Sequence, residues 1–287
     1  MLYNILEVHN RQFVTILSIN KTTGDVLAPA GIFYVCKDFV CSGRNPFIFY
    51  ELCPLINWEE KMKVLLLLSG GVDSSTCLAL AKEKYGDNVL ALSMSYGQKH
   101  AKELAAAQAI ADYYHVELLH MDLSKIFAHS KCSLLQGSEE SVPHASYAEQ
   151  LKESKGEPVS TYVPFRNGLF LSAAASIALE YECNEIYYGP HADDASGNAY
   201  PDCSVEFNES MNLAVYLGSG RKVRLVAPFV DKTKKDIVAE GLRLGVPYEL
   251  TWSCYDGGAK PCHKCGTCID REAAFVANDV VDPLAEA

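Results

Sequence analysis

The sequence predicts an α/β protein with a doubly wound parallel sheet, followed by a short cysteine-bearing C-terminal segment. Three observations carry that expectation. From Val64 to Leu244, short apolar runs alternate with helical stretches, the sign of repeated strand–helix units. The first run, Val64-Leu65-Leu66-Leu67-Leu68, is apolar at every position, as a strand covered on both faces must be. Four of the eleven cysteines fall between Cys254 and Cys268, while the other seven are scattered.

Residues 1–61 show weak periodicity and no motif, with Cys36, Cys41, Cys53 and an aromatic stretch from Phe47 to Tyr50. They read as leader sequence ahead of a natural start at Met62, or else as a small N-terminal appendage. After the first strand, Ser75–Tyr85 reads as helix, with Leu78, Leu80 and Ala81 on its apolar face. Asn88–Ser95 is a second strand, Lys99–Tyr114 an Ala-rich helix and His115–Met121 a third strand. Gln136–Ser160 is polar and long for a structureless connection, so it reads as a lid or a mobile insertion. Phe165–Tyr181 is Ala-rich helix and Glu185–Tyr188 strand. Helix Val205–Leu217, strand Val223–Ala227 and helix Lys232–Leu244 complete the run. Such sheets bind ligands outside the carboxyl ends of their strands.

Composition narrows the function classes. No run reaches the roughly 18 apolar residues of a membrane helix, and no secretory signal is visible, so the chain reads as cytoplasmic. Net charge is −11, with 25 Lys and Arg and no basic run longer than two or three residues. A protein that grips many nucleic-acid phosphates needs a basic face, so a small-molecule substrate is expected and no nucleic acid.

Ser69-Gly70-Gly71-Val72-Asp73-Ser74-Ser75-Thr76 follows the first strand and opens the first helix. A helix N-terminus offers free N–H groups and a positive dipole end, and adjacent glycines let the backbone approach an anion. Ser69, Ser74 and Ser75 add hydroxyls, and Asp73 suits a Mg²⁺ ion bridging phosphate oxygens. The loop has no lysine, so the Walker pattern fails. The stretch resembles the SGG-x-DS signature of the PP-loop, or N-type ATP pyrophosphatase, superfamily. That resemblance implies ATP cleaved between its α and β phosphates, an adenylated substrate and pyrophosphate leaving on this loop.

Cys254-x7-Cys262-x2-Cys265-x2-Cys268 supplies four thiolates within fifteen residues. A closed four-sulfur shell is the structural zinc arrangement, with no open position for catalysis. An iron–sulfur cluster also fits four cysteines, whereas a redox pair leaves two unexplained. Lys260, Lys264 and Arg271 are expected to offset the thiolate charge, and His263 is expected to stay outside the shell.

With both features in view, the chain from Met62 to about Asn278 resembles the QueC family of queuosine precursor biosynthesis. The resemblance rests on the phosphate loop, Tyr96-Gly97-Gln98 with Lys99-His100, Val163-Pro164-Phe165-Arg166-Asn167, Tyr200-Pro201-Asp202-Cys203 and the four-cysteine site. It implies a Rossmann-like fold of the adenine nucleotide alpha hydrolase type, organised as an extension 1–61, an ATP-binding catalytic body 62–245 and a zinc-binding segment 246–287. It further implies a homodimeric carbon–nitrogen ligase that makes 7-cyano-7-deazaguanine from 7-carboxy-7-deazaguanine, ammonia and ATP. The nucleotide site should span Leu68, Ser69, Gly70, Gly71, Val72, Asp73, Ser74, Ser75, Thr76, Cys77 and Leu78. Asp73, Ser74 and Arg166 are the expected catalytic residues, and Mg²⁺ and Zn²⁺ the expected ions.

Substrate contacts are expected from Tyr96, Gln98, Arg166, Asn167, Asp194 and Asp202. Each has a plainer alternative. Tyr96 and Gln98 suit a turn and a helix cap, Arg166 a surface cation, and Asp193, Asp194 and Asp202 a solvated loop. Cys203 reads as packing, and no partner pattern singles out His100, His129, His144 or His191 as a base.

Four other readings are weighed from sequence. A tRNA-thiolating relative wants basic surface and a free sulfur-handling cysteine pair, and GMP or NAD synthetases lack the terminal cysteines. A QueC-like enzyme passing its acyl group to a protein would keep the same ATP site, as would a nucleotide-sensing module without chemistry.

Overall fold

The computed structural model describes residues 62–285 apart from 156, together with strand segments at 2–9, 13–20 and 26–27. The chain divides into two compact units, Met1–Trp58 and Glu59–Ala287. In the first, β1 (Leu2–His9) pairs antiparallel with β2 (Phe13–Asn20), and β3 (Val26–Leu27) pairs with β2. Sequence reading assigned no strands here, because the run Phe13-Val14-Thr15-Ile16-Leu17 does not alternate cleanly. Cys36, Cys41, Cys53 and the stretch 47–50 lie outside the described residues.

The second unit holds strands β4 (Val64–Leu67), β5 (Val89–Ser95), β6 (Leu118–Asp122), β7 (Glu185–Tyr187) and β8 (Arg224–Val226). Its helices are α1 (Val72–Tyr85), α2 (Lys102–Tyr113), α3 (Tyr147–Ser154), α4 (Arg166–Glu180), α5 (Ala192–Ala195), α6 (Val205–Gly218), α7 (Lys234–Leu244) and α8 (Gly266–Val276). The strands run parallel in the order β6-β5-β4-β7-β8. Side chains alternate across β4. Val64 and Leu66 enter one core with Leu78 of α1, Ile110 of α2, Ile237 of α7 and Phe275 of α8. Leu65 enters the opposite core with Leu171 of α4 and Val215 of α6. Both faces are therefore dry, which explains why β4 is apolar throughout.

The chain steps outward from β4 through β5 to β6, then returns to the other side of β4 with β7 and β8. Strand order reverses between β4 and β7, so the loops leaving these strands diverge and a crevice opens outside their carboxyl ends. That topology places the site.

Element boundaries differ from expectation where backbone groups are claimed by neighbours. α1 begins three residues before Ser75, because Gly71 itself takes the extended N-cap conformation (φ −82°, ψ 173°). α2 begins at Lys102 and not Lys99. Gly97 turns the chain at φ 87°, and the Lys99 N–H donates to the Leu134 carbonyl at 2.9 Å. The segment 136–160 is neither structureless nor loosely attached. Its Gln136 N–H donates to the Gly97 carbonyl at 2.8 Å. α3 carries a capping box in which the Ser146 hydroxyl accepts from the Glu149 N–H and the Glu149 carboxylate accepts from the Ser146 N–H, and its Tyr147 and Leu151 pack with Val159 against Tyr200 and Cys203.

The C-terminal segment is part of the same unit. Arg271 on α8 is 4% exposed, and its guanidinium donates to both Asp282 oxygens at 2.6 and 2.8 Å, to the Thr251 hydroxyl and to the Tyr248 carbonyl. This corrects the expectation that Arg271 offsets thiolate charge: Asp282 already neutralises it. A buried guanidinium stripped of its carboxylate has no water to turn to. Asp282→Ala should therefore lower unfolding free energy by about 3–5 kcal/mol in urea titrations; an unchanged midpoint would refute the role given to this pair.

Candidate active site

The segment after β4 lies against α2. Gly70 sits at φ 84°, and a Cβ there would stand 2.4 Å from the Ala107 nitrogen. Its carbonyl accepts the Trp252 N–H at 2.9 Å. Ser69 and Ser74 close the loop on itself, with their hydroxyls 3.0 Å apart and the Ser69 N–H donating to the Ser74 hydroxyl at 3.2 Å. α1 begins immediately afterward with no side-chain cap on its N-terminus, which leaves first-turn N–H groups facing the crevice.

Asp73, in that first turn, faces α7. Lys234 Nζ donates to both Asp73 oxygens at 2.6 and 2.5 Å. Burial pushes the Asp73 carboxyl up, but Lys234 and then His191 outweigh it and hold it below the ordinary carboxylate value. His191 is 2% exposed; its Nδ1 accepts the Asp194 N–H, so in the neutral ring the proton sits on Nε2. That atom lies 3.3 Å from Asp194 and 3.9 Å from Asp73. Lys234 is also fixed at its backbone, where its N–H donates to Asp193 at 2.7 Å.

A cleft of about 220 Å³ joins this loop to a second cluster. There Arg166, the first residue of α4, stacks over the Tyr96 ring at 5.1 Å and the Phe170 ring at 5.7 Å. Burial works against its charge, but Tyr96, Tyr255, Asp202 and Glu103 outweigh that and strengthen its hold on the proton. Phe165 before it adopts a left-handed conformation (φ 55°) that aims the helix start. Two cleft carboxyls are lifted toward neutrality: Glu103 to about 7 by burial that Arg166 partly opposes, and Asp270 to about 6 by burial that Lys234 partly opposes.

The expected site residues divide cleanly. Leu68, Ser69, Gly71, Asp73, Ser74, Tyr96, Gln98, Arg166, Asn167 and Asp194 line the cleft. Gly70 contacts α2 instead, and Val72, Cys77 and Leu78 belong to the core. The Thr76 hydroxyl donates to the Val72 carbonyl and pairs with Tyr248, while Ser75 is fully buried beside it. Asp202 stands behind the wall: it accepts the Asn167 N–H at 2.9 Å, and Asn167 in turn donates to the Asp202 carbonyl and the Cys203 sulfur. Burial pushes the Cys203 thiol well up, so it stays protonated. Gln98 is turned inward, its side-chain oxygen accepting the Tyr96 N–H at 2.9 Å. Of the four histidines that sequence reading left without a role, His191 alone lines the cleft.

Sequence reasoning gave no role to Lys234, Glu103, Tyr147, Tyr255 and Asp270, all of which line the cleft. Only Lys234 left a signal. A lysine in the first turn of a helix opposes the macrodipole, and that cost implies a nearby anion. The others reach the cleft through tertiary packing.

The four cysteines converge. Cys254, Cys262, Cys265 and Cys268 place their sulfurs within 4.8 Å of one another, and Cys262 and Cys268 are 3.9 Å apart. A tetrahedral ion with metal–sulfur bonds near 2.3 Å separates its sulfurs by about 3.8 Å, so the shell fits one. The Cys262 N–H donates to the Cys254 sulfur at 3.3 Å and the Cys265 N–H to the Cys262 sulfur at 3.2 Å, which supports thiolate charge. His263 is turned away and pairs with Glu272. Among the described residues, no helix is long and apolar enough to cross a membrane.

The chain matches known proteins along most of this unit. The family model described as queuosine biosynthesis protein QueC matches residues 63–279. The chain is 47% identical over 224 residues to a 7-cyano-7-deazaguanine synthase of Archaeoglobus fulgidus, a match spanning 78% of this chain and 90% of that one. It is 42% identical to one from Caldicellulosiruptor saccharolyticus (78% and 95%) and 41% identical to one from Thermoplasma acidophilum (78% and 92%). Among solved structures, a tRNA thiolase of Methanococcus maripaludis with its 4Fe–4S cluster aligns at a TM-score of 0.42 and 18% identity, over 65% of this chain and 58% of that one. That likeness is too distant to bear on function.

A four-thiolate shell holds its ion and its fold together. Each of Cys254, Cys262, Cys265 and Cys268 changed to Ser should reduce bound metal, read by elemental mass spectrometry, and lower the melting temperature in step. A variant that loses metal yet keeps its melting temperature would sink the structural role.

Proposed function

The chain belongs to the QueC family, and from that premise we propose that it is an enzyme converting 7-carboxy-7-deazaguanine, ammonia and ATP into 7-cyano-7-deazaguanine. The observation that carries the reading is that one cleft joins the loop 69–74 to Arg166, Tyr96 and Asn167. A carboxylate is a poor electrophile, so the reaction needs a phosphate cradle and a site for the acid within one cavity. Adenylation makes the acid reactive toward ammonia, and adenylation of the resulting amide lets its oxygen leave as AMP. Both rounds use the same groups.

The roles follow from position. The Ser69 and Ser74 hydroxyls and the first-turn N–H groups of α1 would hold phosphate oxygens. Arg166, stacked on two rings and kept charged, would pair with the substrate acid, and the Tyr96 and Phe170 rings would pack against its flat base. Asp73, Asp194 and Asp270 present hard oxygen donors at the phosphate end, the donor type Mg²⁺ takes alongside phosphates. Lys234 holds both Asp73 oxygens and must yield to a cation there; its flexible stem can turn to a phosphate. When bound, that cation would shield phosphate charge. Zinc at the four cysteines would be structural.

The body 62–245 would then carry the ATP site and 246–287 the zinc, with no role assigned to 1–61. The formation of carbon–nitrogen bonds makes the enzyme a ligase. A cytoplasmic homodimer using ammonia completes the proposal, supported by the family resemblance, and the net charge of −11 supports a substrate other than nucleic acid.

Purified protein given ATP, Mg²⁺, ammonium and 7-carboxy-7-deazaguanine should yield the nitrile with AMP and pyrophosphate, read by mass spectrometry. AMP without nitrile would mean that the activated acid wants another acceptor. Absence of AMP would overturn the reading. Arg166→Met should lower kcat/KM for the acid roughly 10²-fold, as expected for a lost hydrogen-bonded charge pair, with the melting temperature retained.

A further inference from the structure

The proposed reaction strips nitrogen of every proton it brings. An ammonium ion loses one proton on becoming nucleophilic. Its attack on the acyl adenylate forms a C–N bond, breaks the C–O bond to AMP and releases a second proton. Adenylation of the amide oxygen and departure of that oxygen with the second AMP release the last two, leaving the C≡N bond. Four protons must leave one nitrogen inside one cleft. A cationic, proton-rich substrate of this kind calls for an anionic acceptor beside the reacting carbon.

Most carboxylates near the cleft are already engaged. Asp73 is held by Lys234 through both oxygens. Asp194 faces His191 Nε2 at 3.3 Å. Asp202 accepts the Asn167 N–H behind the wall. Asp270 accepts no hydrogen bond among the described residues, but the groups that face it, Lys234, Asp194, His191 and Asp193, put it at the phosphate end. Glu103 stands at the other end, beside Arg166. It lies in the first turn of α2 and lines the cleft, and among the described residues its carboxylate accepts no hydrogen bond and forms no ion pair within 4 Å. The groups that face it are the Arg166 guanidinium from α4, the Tyr96 phenol beyond β5 and the Tyr255 phenol from the cysteine segment. On its own helix, Lys102 points elsewhere: its ammonium lies 4.0 Å over the Trp252 ring and donates to the Gly258 and Ala259 carbonyls.

We propose that Glu103 receives the ammonia nitrogen and accepts its protons, with Arg166 holding the acid carbon alongside; this rests on the reaction proposed above. Geometry selects Glu103 because it is the unengaged carboxylate at the Arg166 end of the cleft. Burial supports the same choice by lifting its carboxyl to about 7 against the opposing pull of Arg166. Below that pH the carboxyl is protonated and cannot accept; above it the carboxylate can dock ammonium and take a proton.

Glu103→Gln and Glu103→Asp decide the matter, read by nitrile formation against total ammonia from pH 6 to 9 and by substrate-dependent exchange of pyrophosphate into ATP. In the wild type, kcat/KM for total ammonia should rise to about pH 7 and then flatten. Glu103→Gln should lose about 10²-fold at pH 7 and climb about tenfold per pH unit above it, because only free ammonia then serves. Pyrophosphate exchange should fall far less, which also verifies folding, and Glu103→Asp should restore part of the wild-type profile. A Glu103→Gln profile parallel to the wild type, or a rise in KM for the deazaguanine acid alone, overturns the assignment to nitrogen while leaving the reaction standing. No nitrile from the wild type overturns both.

Discussion

Between β4 and α1 the chain must turn while lying against the backbone of α2, and the absence of a side chain at Gly70 is what permits this. With φ at 84° and the Ala107 nitrogen 2.4 Å from where a Cβ would stand, a larger residue would lift the loop away from α2. The Ser69–Ser74 hydroxyl contact, the Trp252 N–H on the Gly70 carbonyl and the aim of the α1 N-terminus all follow from that approach. Backbone donors can be held in place only if the backbone itself is seated, and here it is seated on a helix that the core already fixes.

The C-terminal segment depends on that seat and adds to it. Trp252, Ser253, Tyr255, Thr267 and Asp270 form one wall of the cleft, so the four cysteines hold more than their own loop. Gly266, at the start of α8, has the Tyr147 ring 2.8 Å from a would-be Cβ. Tyr147 in turn contacts Tyr200 and Tyr255 through its hydroxyl at 3.2 and 3.5 Å. The segment 136–160, the cysteine segment and the loop around Tyr200 thus meet at three phenols, and burial raises each of them above the ordinary tyrosine value. Neutral phenols can donate and accept in a chain without adding charge to a cleft that already contains several carboxylates.

Charge in the cleft is arranged by partnership. Lys234 answers Asp73, the His191 Nε2 faces Asp194, and the Arg166 guanidinium is stacked on rings and surrounded by acidic groups. The phosphate end and the Arg166 end therefore differ in kind. One offers hydroxyls, amides and cation-ready oxygens; the other offers a flat, cationic, ring-lined surface. A reaction that joins a triphosphate to an aromatic acid needs that division.

The sequence alone determined the sheet, the phosphate loop and the metal-ready cysteines. In each case the signal is local: an apolar strand, two glycines before a helix, and thiols with two residues between them. Near neighbours in the chain are near in space whatever the rest of the fold does. The partners were another matter. Lys234 lies 161 residues from Asp73, and no spacing rule connects them. Arg271 looked free to balance thiolates until Asp282 folded back onto it, and Thr76, read as part of the nucleotide loop, turned inward to Tyr248. Glu103 was one polar residue in an Ala-rich helix. Which face of α2 met the crevice, and which carboxylates were already taken, only tertiary structure decided, because packing of distant elements sets what each side chain finds within reach.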